Sequence, residues 1–256
     1  MKKLLGCAIT IALVVSSAFI FTSCGDEKQE VELMGISKYS RTQMGELIEY
    51  DVSNHQVNED GQITSFDLHR TNIETVEKSS ITIDHVDSDD STVLLKRDED
   101  GNIISAKTEV PDLGYQMYEY TYDDDLIDTM TYSTDWGGTD KYTIKSTYEK
   151  DGGNVISMDA ECIKGTGFAN PEGYGYNDNG DVNKVSIAPE SDTNAYVEIE
   201  YNKDGYVTKI TNFNANGAFM TREFEYTSLG KTVTAKTGFK KWQENSIIDD
   251  ALLNCN

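Results

Sequence analysis

A short phrase of Asp or Asn followed by Gly returns along this chain at a nearly fixed interval, and that recurrence restricts the fold more than any other feature. The copies are Asn58-Glu59-Asp60-Gly61, Asp98-Glu99-Asp100-Gly101, Lys150-Asp151-Gly152, Asn177-Asp178-Asn179-Gly180, Asn202-Lys203-Asp204-Gly205 and Thr227-Ser228-Leu229-Gly230. A degenerate Asp123-Asp124-Asp125-Leu126 stands between the second and the third. With Leu126 in the glycine's place, the first interval is 40 residues and the later ones are 25 to 28. A period in this range signals a chain built from repeated supersecondary units.

The chemistry of the phrase is that of a hairpin turn. Tight connections between antiparallel strands need positive φ, which Gly adopts without a Cβ penalty and which Asn and Asp tolerate best. If Asn202 to Gly205 is a four-residue loop, Tyr201 lies opposite Tyr206. One face then collects Val197, Ile199, Tyr201, Tyr206, Thr208 and Ile210, and the other Glu198, Glu200, Val207, Lys209 and Thr211. This period-two split marks a half-buried strand pair. The neighbouring copies agree, with Phe224, Tyr226, Val233 and Ala235 inward in one and Tyr174, Tyr176, Val185 and Ile187 inward in the other. One hairpin per ~25 residues amounts to two strands and two short turns. Seven copies thus predict up to about fourteen strands in meander order, since strands joined by tight turns are neighbours. The expected fold class is all-β, an antiparallel meander of hairpin repeats that forms either a barrel or a rolled sheet, because sheets that wide curl, split or close.

The segment Tyr201-Asn202-Lys203-Asp204-Gly205-Tyr206-Val207-Thr208-Lys209-Ile210 resembles the YD repeat of Rhs-type secreted proteins, and Tyr176 to Val185 and Tyr226 to Ala235 are similar to it. Joined to the N-terminal signal described next, these hairpins resemble a family of Bacteroidota lipoproteins of unknown function with a porin-like β fold. The resemblance spans most of residues 45–237 and implies a fold and a location. It supplies no catalytic residue.

Met1-Lys2-Lys3, an apolar run from Leu4 to Phe21 and the ending Thr22-Ser23-Cys24 have the layout of an export signal. The ending resembles the bacterial lipobox, which implies that Cys24 becomes the first mature residue and carries lipid. No basic cluster follows the run. Gly25 in the position after the cysteine and the acidic stretch from Asp26 to Glu30 imply, by the same resemblance, an outer-membrane anchor facing the cell surface or the periplasm. The expected division is a lipoprotein signal peptide at 1–23, a polar lipid-anchored tether at 24–45 and a single repeat-built β domain at 46–256. Near the end of that domain Asn245-Ser246 precedes Ile247, Ile248, Ala251 and Leu252, which predicts a short capped helix covering one end of the sheet.

With 45 acidic against 22 basic residues the chain carries a formal charge of −23. Such a surface repels nucleic acid and anionic headgroups. The outward face of the hairpins holds Glu198, Glu200, Lys209, Glu223 and Glu225, so this wall is not expected to contact hydrocarbon, where each charge would cost several kcal/mol. The membrane partner is the lipid on Cys24.

Catalytic patterns are missing from the sequence. His55, His69 and His85 are scattered without metal-ligand spacing, and there is no Gly-x-Ser-x-Gly elbow, His-Glu-x-x-His helix or complete Gly-x-x-x-x-Gly-Lys phosphate loop. The Asp-rich turn phrases lack the later Glu of a calcium loop, since Lys107 stands six residues after Gly101. We therefore expect a non-enzyme with no metal or cofactor, acting as a binding module for a glycan, a peptide or a partner protein. A carboxylate-dependent secreted hydrolase and a structural spacer are the alternatives.

Fifteen tyrosines punctuate the chain, most of them just before the turn, where an inward ladder is expected. Trp136 differs, because it lies in the polar Ser133-Thr134-Asp135-Trp136-Gly137-Gly138-Thr139-Asp140 loop between Tyr132 and Tyr142. A large aromatic in such a loop suits ligand contact, so Tyr132, Trp136 and Tyr142 are the candidate binding residues. Cys162 and Cys255 are the remaining mature cysteines, and an exported compartment admits one disulfide between them.

Overall fold

The computed structural model describes residues 30–253, apart from 44, 74–89, 112–113, 136–140, 168, 190–194 and 235. The N-terminal signal with Cys24, the loop residue Trp136, His85 and Cys255 lie outside the described residues. The strands are β1 (Glu30–Gln43), β2 (Glu46–Val57), β3 (Ile63–Ile73), β4 (Asp90–Arg97), β5 (Ile103–Val110), β6 (Gly114–Asp123) and β7 (Leu126–Thr134). They continue with β8 (Lys141–Asp151), β9 (Asn154–Lys164), β10 (Glu172–Tyr176), β11 (Val182–Ile187), β12 (Tyr196–Tyr201), β13 (Val207–Asn214) and β14 (Gly217–Thr234), and a helix α1 (Gly238–Leu253) ends the fold. Each strand pairs with its sequence neighbours, and β1 pairs with β14, so fourteen antiparallel strands form a closed barrel. The expected meander is thus a barrel, not an open roll.

Six of the repeated phrases are hairpin tips, all at one end of the barrel. In four of them the same side-chain hydrogen bond shapes the turn. The Oδ1 atoms of Asn58, Asp98, Asn177 and Asn202 accept from the backbone N–H four residues on, at 2.8, 2.8, 3.0 and 2.9 Å. This Asx-type closure explains why the phrase opens on Asn or Asp. Gly205 takes φ +82°, and a Cβ there would come within 2.8 Å of Lys241 Nζ. The loop is longer than the four residues expected: Tyr201 pairs with Val207 while Glu200 pairs with Lys209, leaving Thr208 as a bulge. The extra residue inverts the alternation. Val207 is therefore buried inside the barrel, and Thr208 is not on the inner row. The same one-residue shift precedes the turns at Arg97, Tyr122, Lys150 and Tyr176.

Two further expectations need correction. Residues 30–43 are not part of a tether but form β1, which seals the barrel against β14. Register shifts after Glu32 and after Ile36 break its alternation, which is why the segment reads as irregular. Thr227-Ser228-Leu229-Gly230 is not a hairpin. It lies within β14, whose pairing passes from Thr232 opposite Glu32 to Ser228 opposite Met34, so the phrase forms an enlarged bulge.

The outward rows of the wall are charged. They carry Glu198, Glu200, Lys209, Glu223 and Glu225, and among the described residues the exposed large hydrophobics are Leu94, Ile156 and Ile163. A lipid-facing barrel needs a continuous apolar band ~25 Å tall, which three scattered side chains do not make. Among the described residues no helix is long and apolar enough to cross a membrane.

Candidate functional site

A fourteen-stranded barrel is too wide for its own inward side chains to fill, and here the lumen is filled by α1. The helix starts at Gly238, not near Asn245, and it runs through the barrel instead of covering one end. At ~1.5 Å per residue it is about 24 Å long. Near the turn end Gln243 contacts Ile127 N and Asp125 O, while near the other end Thr108 Oγ1 donates to Ala251 O at 2.9 Å and Arg41 to Leu253 O at 3.2 Å. Trp242, Ile247, Ala251 and Leu252 join the same core as Tyr39, Phe66, Val93 and Ile210. Burying each large apolar side chain stabilises by ~1.5–3 kcal/mol.

The rest of the helix surface is ionic. Glu244 receives Arg97 at 2.7 Å and Lys236 at 2.8 Å; Lys241 meets Asp181 at 3.1 Å, Arg222 meets Asp249 at 3.3 Å, and Lys240 pairs with Asp125. Burial by itself would raise the Glu244 carboxyl, but Arg97 and Lys236 outweigh it and hold the group below its ordinary value. Asp249 behaves otherwise: burial pushes it up to about 6 against the pull of Arg222. Asp250 rises to about 7, first through burial and then through the like charge of Asp249, with Arg222 opposing and Glu172 adding.

The pre-turn tyrosines have a structural job. The hydroxyls of Tyr122, Tyr176, Tyr201 and Tyr226 donate to the carbonyls of Ile103, Val155, Val182 and Val207 at 2.6 to 2.7 Å, each reaching the first or second residue of the preceding strand. A second set of tyrosines does not follow this rule. Tyr118, Tyr132 and Tyr142 are register partners across β6, β7 and β8, and their half-buried rings form one inward row near the end opposite the turns. Tyr118 and Tyr132 are 5.2 Å apart and splayed by 53°, and Tyr132 and Tyr142 are 5.0 Å apart and stacked. Gly167 lies against Tyr142 so closely that a Cβ would sit 2.5 Å from its ring. Its N–H donates to Cys162 Sγ at 3.3 Å. The hydroxyls of Tyr132 and Tyr142 make no hydrogen bond among the described residues. Further down β6, Tyr120 is 7 % exposed, and among the described residues neither its hydroxyl nor the buried Oε1 of Gln116 has a hydrogen-bond partner. Burial raises the Tyr142 hydroxyl, and Tyr132, Asp250 and Cys162 raise it further.

Two of the three expected binding residues, Tyr132 and Tyr142, are thus brought together, while Trp136 lies outside the described residues. Their rings pack on one another in place of presenting open faces. Cys162 on β9 has no disulfide partner among the described residues, and Cys255 lies outside them. His55 is in the lumen against Phe66, whereas His69 pairs with Asp90 on the surface at 2.5 Å. Among the described residues no group of three His, Cys, Asp or Glu side chains is placed to hold a metal ion. Sequence reasoning missed Tyr118, Asp250 and Glu172. The Tyr118-x-Tyr120-x-Tyr122 alternation signals an inward row, but nothing local places the end of α1 opposite it. Halfway round the barrel from these tyrosines, a cavity of about 380 Å³ opens between Thr42, Gly45 and Ala218–Thr221, and its walls hold no ionisable group.

No family model and no curated protein matches this chain. Among solved structures, the chain is similar to a porin-like protein from Bacteroides uniformis at 11 % identity and a TM-score of 0.41, covering 75 % of this chain and 96 % of that one. A porin-like protein from Bacteroides vulgatus gives 10 % identity and a TM-score of 0.39, with 76 % and 99 % covered. The Photorhabdus luminescens Tc holotoxin pore gives 13 % identity and a TM-score of 0.22, with 71 % of this chain and 12 % of that chain covered. At such scores the likeness carries no argument, and the description of the barrel rests on its own strand order.

Proposed function

We propose that this chain is a lipid-anchored, non-catalytic binding module of the bacterial outer membrane, facing the cell surface or the periplasm. It takes a glycan, a peptide or a partner protein at the barrel end lined by Tyr118, Tyr132 and Tyr142. One observation supports this above others: beside the half-buried row of Tyr118, Tyr132 and Tyr142, the buried Tyr120 Oη and Gln116 Oε1 have no hydrogen-bond partner among the described residues, whereas the pre-turn tyrosines tie their hydroxyls to backbone carbonyls. Buried hydrogen-bonding atoms without protein partners are unusual and call for water or a ligand. The anchor supports the orientation, since Glu30 stands six positions after Cys24, a reach of at most ~20 Å. Glu30 lies at the turn end, so the tyrosine end points away from the membrane.

Glycan and peptide arrays probed with the full chain and with Tyr132→Leu test the reading. Ligands held by the wild type and lost by the variant support it, and equal patterns reject it. If instead the chain cleaves a glycan, and cleavage is lost in both Asp250→Asn and Glu172→Gln, the hydrolase reading replaces the binding one.

A further inference from the structure

We propose that β9 binds an extended segment of another protein by strand addition along Asp159–Lys164, and that this segment alternates basic with apolar residues. The site goes beyond the tyrosine end and does not depend on it. The wall is uneven here. β9 runs for 11 residues and β10 for 5, and the two pair only through Glu172 with Met158 and Gly173 with Ser157. Pro171 stands just before β10 and has no N–H with which to lengthen the ladder. From Asp159 onward β9 is therefore joined to β8 on one side, while among the described residues no strand pairs with the other. The chain after Lys164 does not take that side. Gly165 turns with φ +78° against Lys141 and Tyr142, and Gly167 packs on the inward Tyr142 ring, where its N–H donates to Cys162 Sγ. No backbone hydrogen bond joins the described residues of 165–171 to Asp159–Lys164. Alternate residues of a strand turn N–H and C=O to each side, so this stretch offers ~20 Å of edge on which an extended chain can pair.

The side chains choose the partner. Asp159 and Glu161 are exposed on the outer row and have no ion pair among the described residues; Lys145, opposite Glu161 on β8, turns instead to Asp128 at 3.7 Å. Ala160 and Cys162, on the inner row, are half-buried and uncharged. Ile163 lies at a register shift just beyond and is 52 % exposed. An added strand thus meets carboxylates with one row of its side chains and small apolar groups with the other, and cross-strand pairs of opposite charge favour Lys or Arg on the first row. The same carboxylates disfavour a second copy of this chain, because two such edges side by side would bring acid against acid.

The test is calorimetric titration of the full chain with the acetylated, amidated hexapeptides Lys-Val-Lys-Val-Lys-Val and Glu-Val-Glu-Val-Glu-Val, and with two forms of the first that are N-methylated either at every Lys or at every Val. The inference predicts that the Lys peptide binds and that the Glu peptide binds at least tenfold more weakly. N-methylation of one set should abolish binding and that of the other should spare it, because only one edge of the added strand meets β9. Asp159→Asn with Glu161→Gln should weaken the Lys peptide at least fivefold, with circular dichroism confirming the fold. Glu198→Gln with Glu223→Gln removes as much charge where strands are paired on both sides, and should change nothing. The inference is overturned if the Lys peptide does not bind, if the Glu peptide binds as well, if both methylated forms behave alike, or if the Asp159 and Glu161 variant binds like the wild type. A chain that sediments as a dimer and is dissociated by the peptide would make a second copy the occupant and overturn it too. Loss of the Lys peptide in Tyr132→Leu would move it to the tyrosine end and reject the edge site, whereas unchanged array patterns with the peptide retained would reject the tyrosine end alone.

Discussion

The hydroxyl of Tyr201 donates to the carbonyl of Val182 at 2.6 Å, carrying the last residue before one hairpin turn to the first strand residue after the previous turn. The same bond at Tyr122, Tyr176 and Tyr226 makes each repeat lock the one before it. Tyr201→Phe keeps the ring and removes one hydrogen bond, so it should lower stability by ~0.5–1.5 kcal/mol in urea denaturation. Combining it with Tyr226→Phe should add a similar loss, since the two hydroxyls serve different carbonyls. No loss from either change would mean that these tyrosines act through their rings alone.

Gly205→Val should cost more than Lys203→Ala by ~1–3 kcal/mol, because a β-branched residue is strained at φ +82°. Its Cβ would also crowd Lys241, whose pairing with Asp181 helps to hold α1. Thermal melts of both variants decide it, and equal, small shifts would refute the turn assignment.

Stability should fall as pH rises from about 4 to about 7. Burial lifts Asp249 from 3.8 to about 6 and Asp250 from 3.8 to about 7, so across this window the folded chain keeps protons that the unfolded chain has lost. Glu244, held below 4.5, acts in the opposite sense and withdraws its stabilisation only at lower pH. The optimum therefore lies on the mildly acidic side. Asp250→Asn should flatten the slope and gain on the order of 2 kcal/mol at pH 8, which denaturation series at pH 5 and pH 8 will measure. An unchanged slope in the variant would exclude Asp250 as its source.

Cys24→Ala should leave the chain unlipidated and move it from the membrane fraction to the soluble fraction. Retention of the variant in the membrane fraction would show that the apolar run from Leu4 to Phe21 stays on the protein as an anchor.

The hairpins were legible because Asn202 and Gly205 act locally: a turn needs only its own residues. Register was harder, since the bulge at Thr208 leaves the alternation on each side intact and shows itself only when the two sides are paired. Closure was invisible, because Glu30 meets Thr234 by a contact that no local pattern encodes. The helix was misplaced for a physical reason as well. A helix enclosed on all sides, with Lys241, Glu244 and Asp249 each matched to a wall residue, carries no single apolar stripe to mark its limits. Tyr132 and Tyr142 could be picked from the sequence as aromatics flanking a loop, but nothing local shows that they lie in one row with Tyr118, which β7 brings together through its pairing with both neighbours.

The seam between β1 and β14 imposes an order of assembly. Thr234 finishes the wall before Gly238 begins the filling, so the chain emerges with its closing strand ahead of its plug. A shell sealed at once would enclose Arg97, Arg222 and Asp181 without their partners, and charges buried in that way are strongly disfavoured. Sealing β1 against β14 and seating α1 are thus coupled, because the wall's buried charges find their ionic partners on the helix.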